Sequence, residues 1–362
     1  MKLFLSVTAL LAFVALATSQ GCEQEVNCMA ASGCRCASTQ SPVPNNPQLV
    51  VISINDAISE LAYDNYYAPL FDGRLNPDFY PVSATFFVPH EYTDYSKVNA
   101  LYRNGHEIAI HSITKNPLTE YWLEASVDTL VQEFDGQRQI ISRFANIPVE
   151  DITGARVPNM ALAGDNLFNA LNSVGIEYDA TLNVMNGFNY FPFTLDFVNQ
   201  VNCASGICPE AAHPGIWVTP IINLMGDGVE CNNLQACRVE GTAAQIADWL
   251  MREFNAVYED NRAPLNLVIS SAWFMGTANT FEGLTMFLDN LQAMNDVYIV
   301  SNRKAVEWMK NPSGFTSDTG DNNTPCTARS CALPKDDETR YMVSCVACPS
   351  VFPWLGNPLG TN

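Results

Sequence analysis

Short apolar runs alternate along the chain with stretches in which apolar residues return every three or four positions. The runs fall at 48–54, 83–88, 107–110, 152–157, 216–219, 266–270 and 297–300. They are rich in Val, Ile, Leu and Phe and bounded by turn residues, the pattern of strands buried on both faces. Between them, 126–145 carries Val127, Leu130, Val131, Phe134, Ile141 and Phe144 at helical spacing. Thr242 and Gln245 form a capping box, opening a second helix with Ile246, Leu250, Phe254 and Val257 on one face. Strands alternating with helices predict an α/β fold with a parallel sheet. About seven such units predict a distorted (β/α) barrel of about seven parallel strands, with chemistry at the C-terminal strand ends. An open doubly wound sheet is the alternative, but no Gly-rich phosphate fingerprint follows the first strand.

The ends of the chain read differently from its middle. Residues 1–19 have the form of a signal peptide: Lys2, an apolar run over 3–17, and small residues at Ala17-Thr18-Ser19. Residues 20–48 form a Cys-rich segment whose last part, 41–47, reads as a linker; the barrel is expected over 49–312. A Cys-rich tail over 313–362 is expected to pack on it and carries one glycosylation sequon, Asn322-Asn323-Thr324. All 12 cysteines lie beyond residue 19. An even number in a secreted chain argues for disulfides. Cys203 with Cys208 and Cys231 with Cys237 are spaced to close small loops; the two terminal groups of four are candidates to pair with each other, although spacing does not fix connectivity. The formal charge of −20 excludes a phosphate backbone as partner and suits a neutral ligand such as a polysaccharide. No run after the signal reaches the roughly 18–20 apolar residues of a membrane span.

The strand ends hold the candidate chemistry. Ser53-Ile54-Asn55-Asp56-Ala57 follows the first strand, and Gly105-His106-Glu107 runs through His111 to Lys115 around the third. Gly154-Ala155-Arg156-Val157-Pro158-Asn159, Tyr178-Asp179-Ala180-Thr181 and Val268-Ile269-Ser270-Ser271-Ala272-Trp273-Phe274 come in order afterwards. Any one is weak. The five in sequence resemble the motif pattern of the polysaccharide deacetylases (carbohydrate esterase family 4, NodB homology), in the branch of insect chitin deacetylases without accessory domains. The likeness runs over about 50–309 and continues through 338–345 and 353–356 in the tail.

That resemblance implies hydrolysis of an acetamide by a metal-activated water, with a base for the water and an acid for the leaving amine. Carried over residue by residue, Asp56 and His111 match two metal ligands, Arg156 the residue holding the base, and Asp179 the one orienting the acid. Asn159 replaces an aromatic residue whose backbone N–H helps bind the oxyanion. Three positions depart from the pattern. Asn55 stands where the base Asp belongs, Lys115 where the third metal ligand, a His, belongs, and Ser270 where the acid His belongs. An amide accepts no proton near neutral pH, and an ammonium has no lone pair for a metal. Losing acid or base help costs typically ~10²–10⁴-fold each. If 111–115 is helical, Lys115 shares a face with His111 and aims its ammonium at Asp56.

The expected function is therefore a secreted chitin deacetylase-like protein, inactive or strongly impaired, binding chitin or another N-acetylglucosamine polymer in a gut-lining or cuticle matrix, alongside other matrix proteins. Tyr121, Trp122, Trp217, Trp273 and Phe274 are candidates for stacking on sugar, against a plain core role. His106 and Glu107 read as structural. No tightly bound cofactor is expected, and zinc only if the site still functions. The competing readings are a slow metal-dependent deacetylase with an altered site and a purely structural secreted protein.

Overall fold

The structure, a computed structural model, describes residues 21–312, 315–317 and 324–361. The expected signal peptide and Asn322 lie outside the described residues.

Nine strands make the main sheet: β1 (Gln48–Asn55), β2 (Thr85–Pro89), β3 (Glu107–Ser112), β4 (Gly154–Ala155), β5 (Tyr178–Asp179), β6 (Phe193–Thr194), β7 (Trp217–Val218), β8 (Leu265–Ile269) and β9 (Val297–Val300). Eight form a continuous path in the order β8-β1-β2-β3-β4-β5-β7-β6, and β9 adds to β1. The sheet curls into a half-barrel in which every pairing is parallel except that of β6 with β7. β1 has three partners: it pairs β8 over Val50–Ile54 and, on its other edge, β9 over Gln48–Val51 and β2 over Ser53–Asn55. Its first seven residues are buried, as an apolar run in a sheet covered on both faces requires.

The two helices read from periodicity are present. Val127–Ala145 begins at Ser126, whose hydroxyl accepts from Thr129 N, and stops at Asn146 in the left-handed conformation (φ 54°). Ala243–Tyr258 has the expected capping box, with Thr242 accepting from Gln245 N and the Gln245 side chain accepting from Thr242 N. Its buried face packs on helix Thr280–Gln292, with Phe254 and Phe287 in edge contact at 6.3 Å.

The described parts of the N-terminal segment and of the tail both pack on the body of the fold. Arg35 Nε donates to Met309 O, and Thr194 N to Arg35 O, tying the N-terminal segment to β6. In the tail, the hairpin Arg329–Lys335 and Glu338–Ser344 leads to Phe352, whose ring lies 4.5 Å from that of buried His90. The disulfides correct one expectation: the terminal groups do not pair with each other. Cys22–Cys36 and Cys28–Cys34 close the first group, Cys326–Cys345 and Cys331–Cys348 the second, and Cys203–Cys208 and Cys231–Cys237 close the two small loops.

Candidate functional site

The motif residues converge at the C-terminal ends of β1, β3, β4 and β8. Asn55 ends β1, and Asp56 begins the loop that follows. Asp56 is held from several directions. Its Oδ2 accepts from the Tyr67 hydroxyl at 2.9 Å, from Ser271 N at 2.9 Å, and from the Ser271 hydroxyl. Its Oδ1 accepts from Ala57 N at 2.9 Å and lies 3.8 Å from the Lys115 ammonium. Tyr67 and Ser271 were not singled out from sequence. Tyr67 shares no motif with Asp56, and Ser271 looks like filler beside Ser270. The phenol of Tyr67 is pushed well above its usual range by burial and by the adjacent Asp56 charge, so it stays a donor.

Lys115 reaches this carboxylate by an unexpected route. Residues 111–115 are not helical: His111 and Ser112 belong to β3, and Lys115 lies beyond a turn with φ 43°. Its ammonium also donates to Asn55 O at 3.4 Å. The side chain is 40% exposed and that of Asp56 18%, so the ion pair sits at the mouth of the site rather than inside it.

His111 is buried, with Nδ1 3.0 Å from the carbonyl of Arg156. A carbonyl only accepts, so Nδ1 carries the proton and the neutral ring has its lone pair on Nε2. Burial, followed by the nearby Lys115 charge, holds the imidazole well below its ordinary pKa. Asp56 and His111 thus offer two ligand types, and Lys115 offers a positive charge without a lone pair. A catalytic zinc site normally has three protein ligands. The residues as they stand do not fit a divalent metal.

Behind Asn55 lies a fully buried guanidinium. Arg156 donates from Nε to Ala180 O at 2.6 Å, from one terminal nitrogen to Asn55 Oδ1 at 3.0 Å, and from the other to Ser53 Oγ at 3.3 Å. It stacks over Phe87 at 4.1 Å. Burial lowers its pKa to about 9. Asp179, also fully buried, accepts from Thr181 N and Leu182 N through Oδ2, while its Oδ1 has no partner among the described residues. Burial raises its pKa against the pull of those hydrogen bonds. Ser270 donates weakly to Gln235 Oε1 at 3.4 Å, and neither group is an acid or base near neutral pH.

These side chains line a cleft of about 330 Å³ whose wall includes Asn55, Asp56, His111, Lys115, Asn159 and Ser270. Asn232, Asn233 and Gln235 complete it, all from the loop closed by Cys231–Cys237. Sequence reasoning saw that disulfide loop but not its carboxamides, which have no motif. Asn159, at φ 59°, donates from its side chain to Pro117 O at 3.1 Å.

The aromatic candidates do not line the cleft. Trp122 is 0% exposed, Trp273 1% and Trp217 3%, and Phe274 is buried beside Trp273. Tyr121 is partly buried and donates its hydroxyl to Glu133. All five serve the core or its margin: Tyr121, Trp122, Trp273 and Phe274 turn inward from their helices, and Trp217 from β7. Glu107 is likewise internal, accepting from Thr85, Tyr178 and Arg303 N, and His106 Nδ1 accepts from Ala84 N, as their structural reading requires.

A curled, mostly parallel (β/α) sheet with these motif positions at its strand ends defines the class of the polysaccharide deacetylases. Two solved structures share the fold: a Mycobacterium smegmatis protein described as a polysaccharide deacetylase, at TM-score 0.50 and 19% identity over 78% of this chain and 96% of that one, and Puue allantoinase, at TM-score 0.50 and 14% identity over 76% and 94%. No family profile matches the chain. Chitin deacetylase 8 of Bombyx mori is 31% identical over 346 residues, covering 90% of each chain. Chitin deacetylase 1 of Bombyx mori is 30% identical over 361 residues, covering 90% of this chain and 66% of that protein. The chain belongs to the chitin deacetylase family, within carbohydrate esterase family 4.

Proposed function

We propose that this protein is secreted into an extracellular matrix, where it binds chitin or a related N-acetylated glycan without hydrolysing it. The observation that carries this reading is the Lys115 ammonium, 3.8 Å from Asp56, in the place of a metal ligand. Asn55 and Ser270 add to it, because neither can take or give a proton as the reaction needs. Six disulfides and no free cysteine among the described residues support an oxidising compartment. Retained sugar binding is supported by the cleft itself. Asn55, Asn159, Asn232, Asn233 and Gln235 offer carboxamides, which both donate and accept, and thus match the hydroxyls and acetamides of a neutral sugar. Its volume of about 330 Å³ is at the small end of ligand sites.

The test pairs two measurements on the purified protein: retention on chitin, and acetate released from chitin oligomers with and without added zinc. Retention without acetate is expected. Acetate well above a heat-killed control establishes the slow-hydrolase reading instead, and failure to bind chitin leaves a purely structural protein.

A further inference from the structure

We infer that Lys115 makes the cleft selective for N-acetylated over deacetylated amino sugar, donating a charged hydrogen bond to the acetamide carbonyl and repelling a free sugar ammonium. This rests on the proposed glycan-binding role and adds to it a direction of preference and the residue that sets it.

An ammonium has three donors. One donates to Asn55 O at 3.4 Å, Asp56 Oδ1 lies in ion-pair range at 3.8 Å, and 40% of the side chain remains exposed at the cleft. The donors left over therefore meet whatever enters. A neutral acetamide presents a carbonyl oxygen, which suits it; hydrogen bonds from a charged donor are roughly twice as strong as neutral ones. A deacetylated unit presents a second ammonium, which needs a carboxylate. Among the described residues lining the cleft, Asp56 is the sole carboxylate. Its Oδ2 already accepts from Tyr67 and twice from Ser271, and its Oδ1 accepts from Ala57 N and faces the Lys115 ammonium at 3.8 Å. The remaining lining donors and acceptors are neutral.

The whole-molecule charge points the other way. A chain at −20 attracts a polycation, so non-specific binding would favour the deacetylated polymer. Long-range surface attraction is largely screened at about 0.15 M salt, where the Debye length is about 8 Å. Contact inside the cleft is not.

Calorimetric titration with fully acetylated and fully deacetylated glucosamine oligomers of equal length, in about 0.15 M salt and mildly acidic buffer, tests the inference. The wild type is expected to bind the acetylated oligomer at least about tenfold more tightly. Lys115→Met, which keeps the length and removes the charge, should lose about tenfold on the acetylated oligomer and bring the preference close to parity. Lys115→Arg should keep the preference, and melting curves check that each variant is folded. Equal binding of both oligomers by the wild type, or a preference that survives Lys115→Met, overturns the inference while leaving glycan binding intact. Binding of neither oligomer overturns the proposed function, and the inference with it.

Discussion

The buried guanidinium of Arg156 predicts that placing a carboxylate at position 55 stabilises the protein. Arg156 is fully buried, and its three hydrogen-bond acceptors, Ala180 O, Asn55 Oδ1 and Ser53 Oγ, are all neutral. Its pKa near 9 records the cost of keeping that charge out of water. Asn55→Asp changes no shape. The carboxamide nitrogen it removes donates no hydrogen bond among the described residues, and the oxygen at 3.0 Å from the guanidinium becomes an anion. A hydrogen bond between charged partners contributes roughly 1.5–3 kcal/mol, against about 0.5–1.5 for a typical one. Desolvation of the new carboxylate and repulsion from Asp56 subtract from this, and the ammonium of Lys115 offsets part of the repulsion. The net expectation is about 1 kcal/mol of added stability at neutral pH. The sign with pH follows. The new carboxylate has its folded pKa depressed by Arg156, so its contribution is present above the ordinary aspartate value of about 3.9 and is lost as pH falls through the folded pKa. Asn55→Ala, which strips the guanidinium of an acceptor, should cost about 1–3 kcal/mol. Urea unfolding at pH about 7 and at pH about 3 measures all three chains. An Asn55→Asp protein less stable than wild type at neutral pH, or one whose gain persists undiminished in acid, refutes the reasoning.

Trp273→Ala removes a side chain that is 1% exposed and should cost about 3–5 kcal/mol; wild-type melting behaviour with weakened chitin binding would place this indole in a sugar site after all. Lys115→Ala breaks an ion pair with 40% and 18% exposed partners and should cost less than about 1 kcal/mol in a denaturant titration; a larger loss would mean that the pair is buried. Replacing Cys231 and Cys237 together by Ser opens a six-residue separation, which should cost about 2 kcal/mol by loop-closure entropy and weaken chitin retention, since Asn232, Asn233 and Gln235 ride on that loop; unchanged retention separates the loop from binding. Burial lowers His90 to about 3 and His106 to about 4, so both stay neutral in the fold while the unfolded chain takes up protons near 6.5. Stability should therefore fall on acidification from pH about 8 to about 5.5, by about 1.4 kcal/mol for each histidine. A melting temperature that rises over this interval would show that the raised carboxyls of Glu107 and Asp179, which act in the opposite direction, outweigh them.

The parts of this molecule legible in its sequence are those in which one residue type repeats along a local period. Seven apolar runs became seven strands, and the Thr242–Gln245 box capped a helix where it was expected. In the main sheet, Tyr178–Asp179 and Phe193–Thr194 escaped, each only two residues long, and outside it so did the tail hairpin Arg329–Lys335 and Glu338–Ser344, whose mostly exposed residues form no apolar run. At the site, the identities of Asn55, Lys115 and Ser270 already told which proton and metal chemistry these side chains do not themselves supply, because that follows from functional groups. What holds Asp56 was hidden: Tyr67 lies 11 residues away and Ser271 lies 215 away, and only the fold brings them together. The aromatic candidates failed for a related reason, since an indole destined for the core and one destined for a sugar look identical in a sequence; burial alone separates them.

The same geometry accounts for how the carboxylate of Asp56 is accommodated in the cleft. A partly buried carboxylate is costly unless donors satisfy it. Asp56 meets that condition through Tyr67, Ser271 and Ala57 N, which fill most of its acceptor positions from a fixed scaffold. Lys115 then adds charge at the open edge without having to hold the carboxylate in place, which is why it remains 40% exposed. Arg156 is held by neutral acceptors, Ala180 O, Asn55 Oδ1 and Ser53 Oγ. Its charge is fully buried, and burial lowers its pKa to about 9. The cost of buried charge thus falls on Arg156 rather than on Asp56, and Asn55→Asp and Lys115→Ala should affect stability in opposite directions and by different amounts.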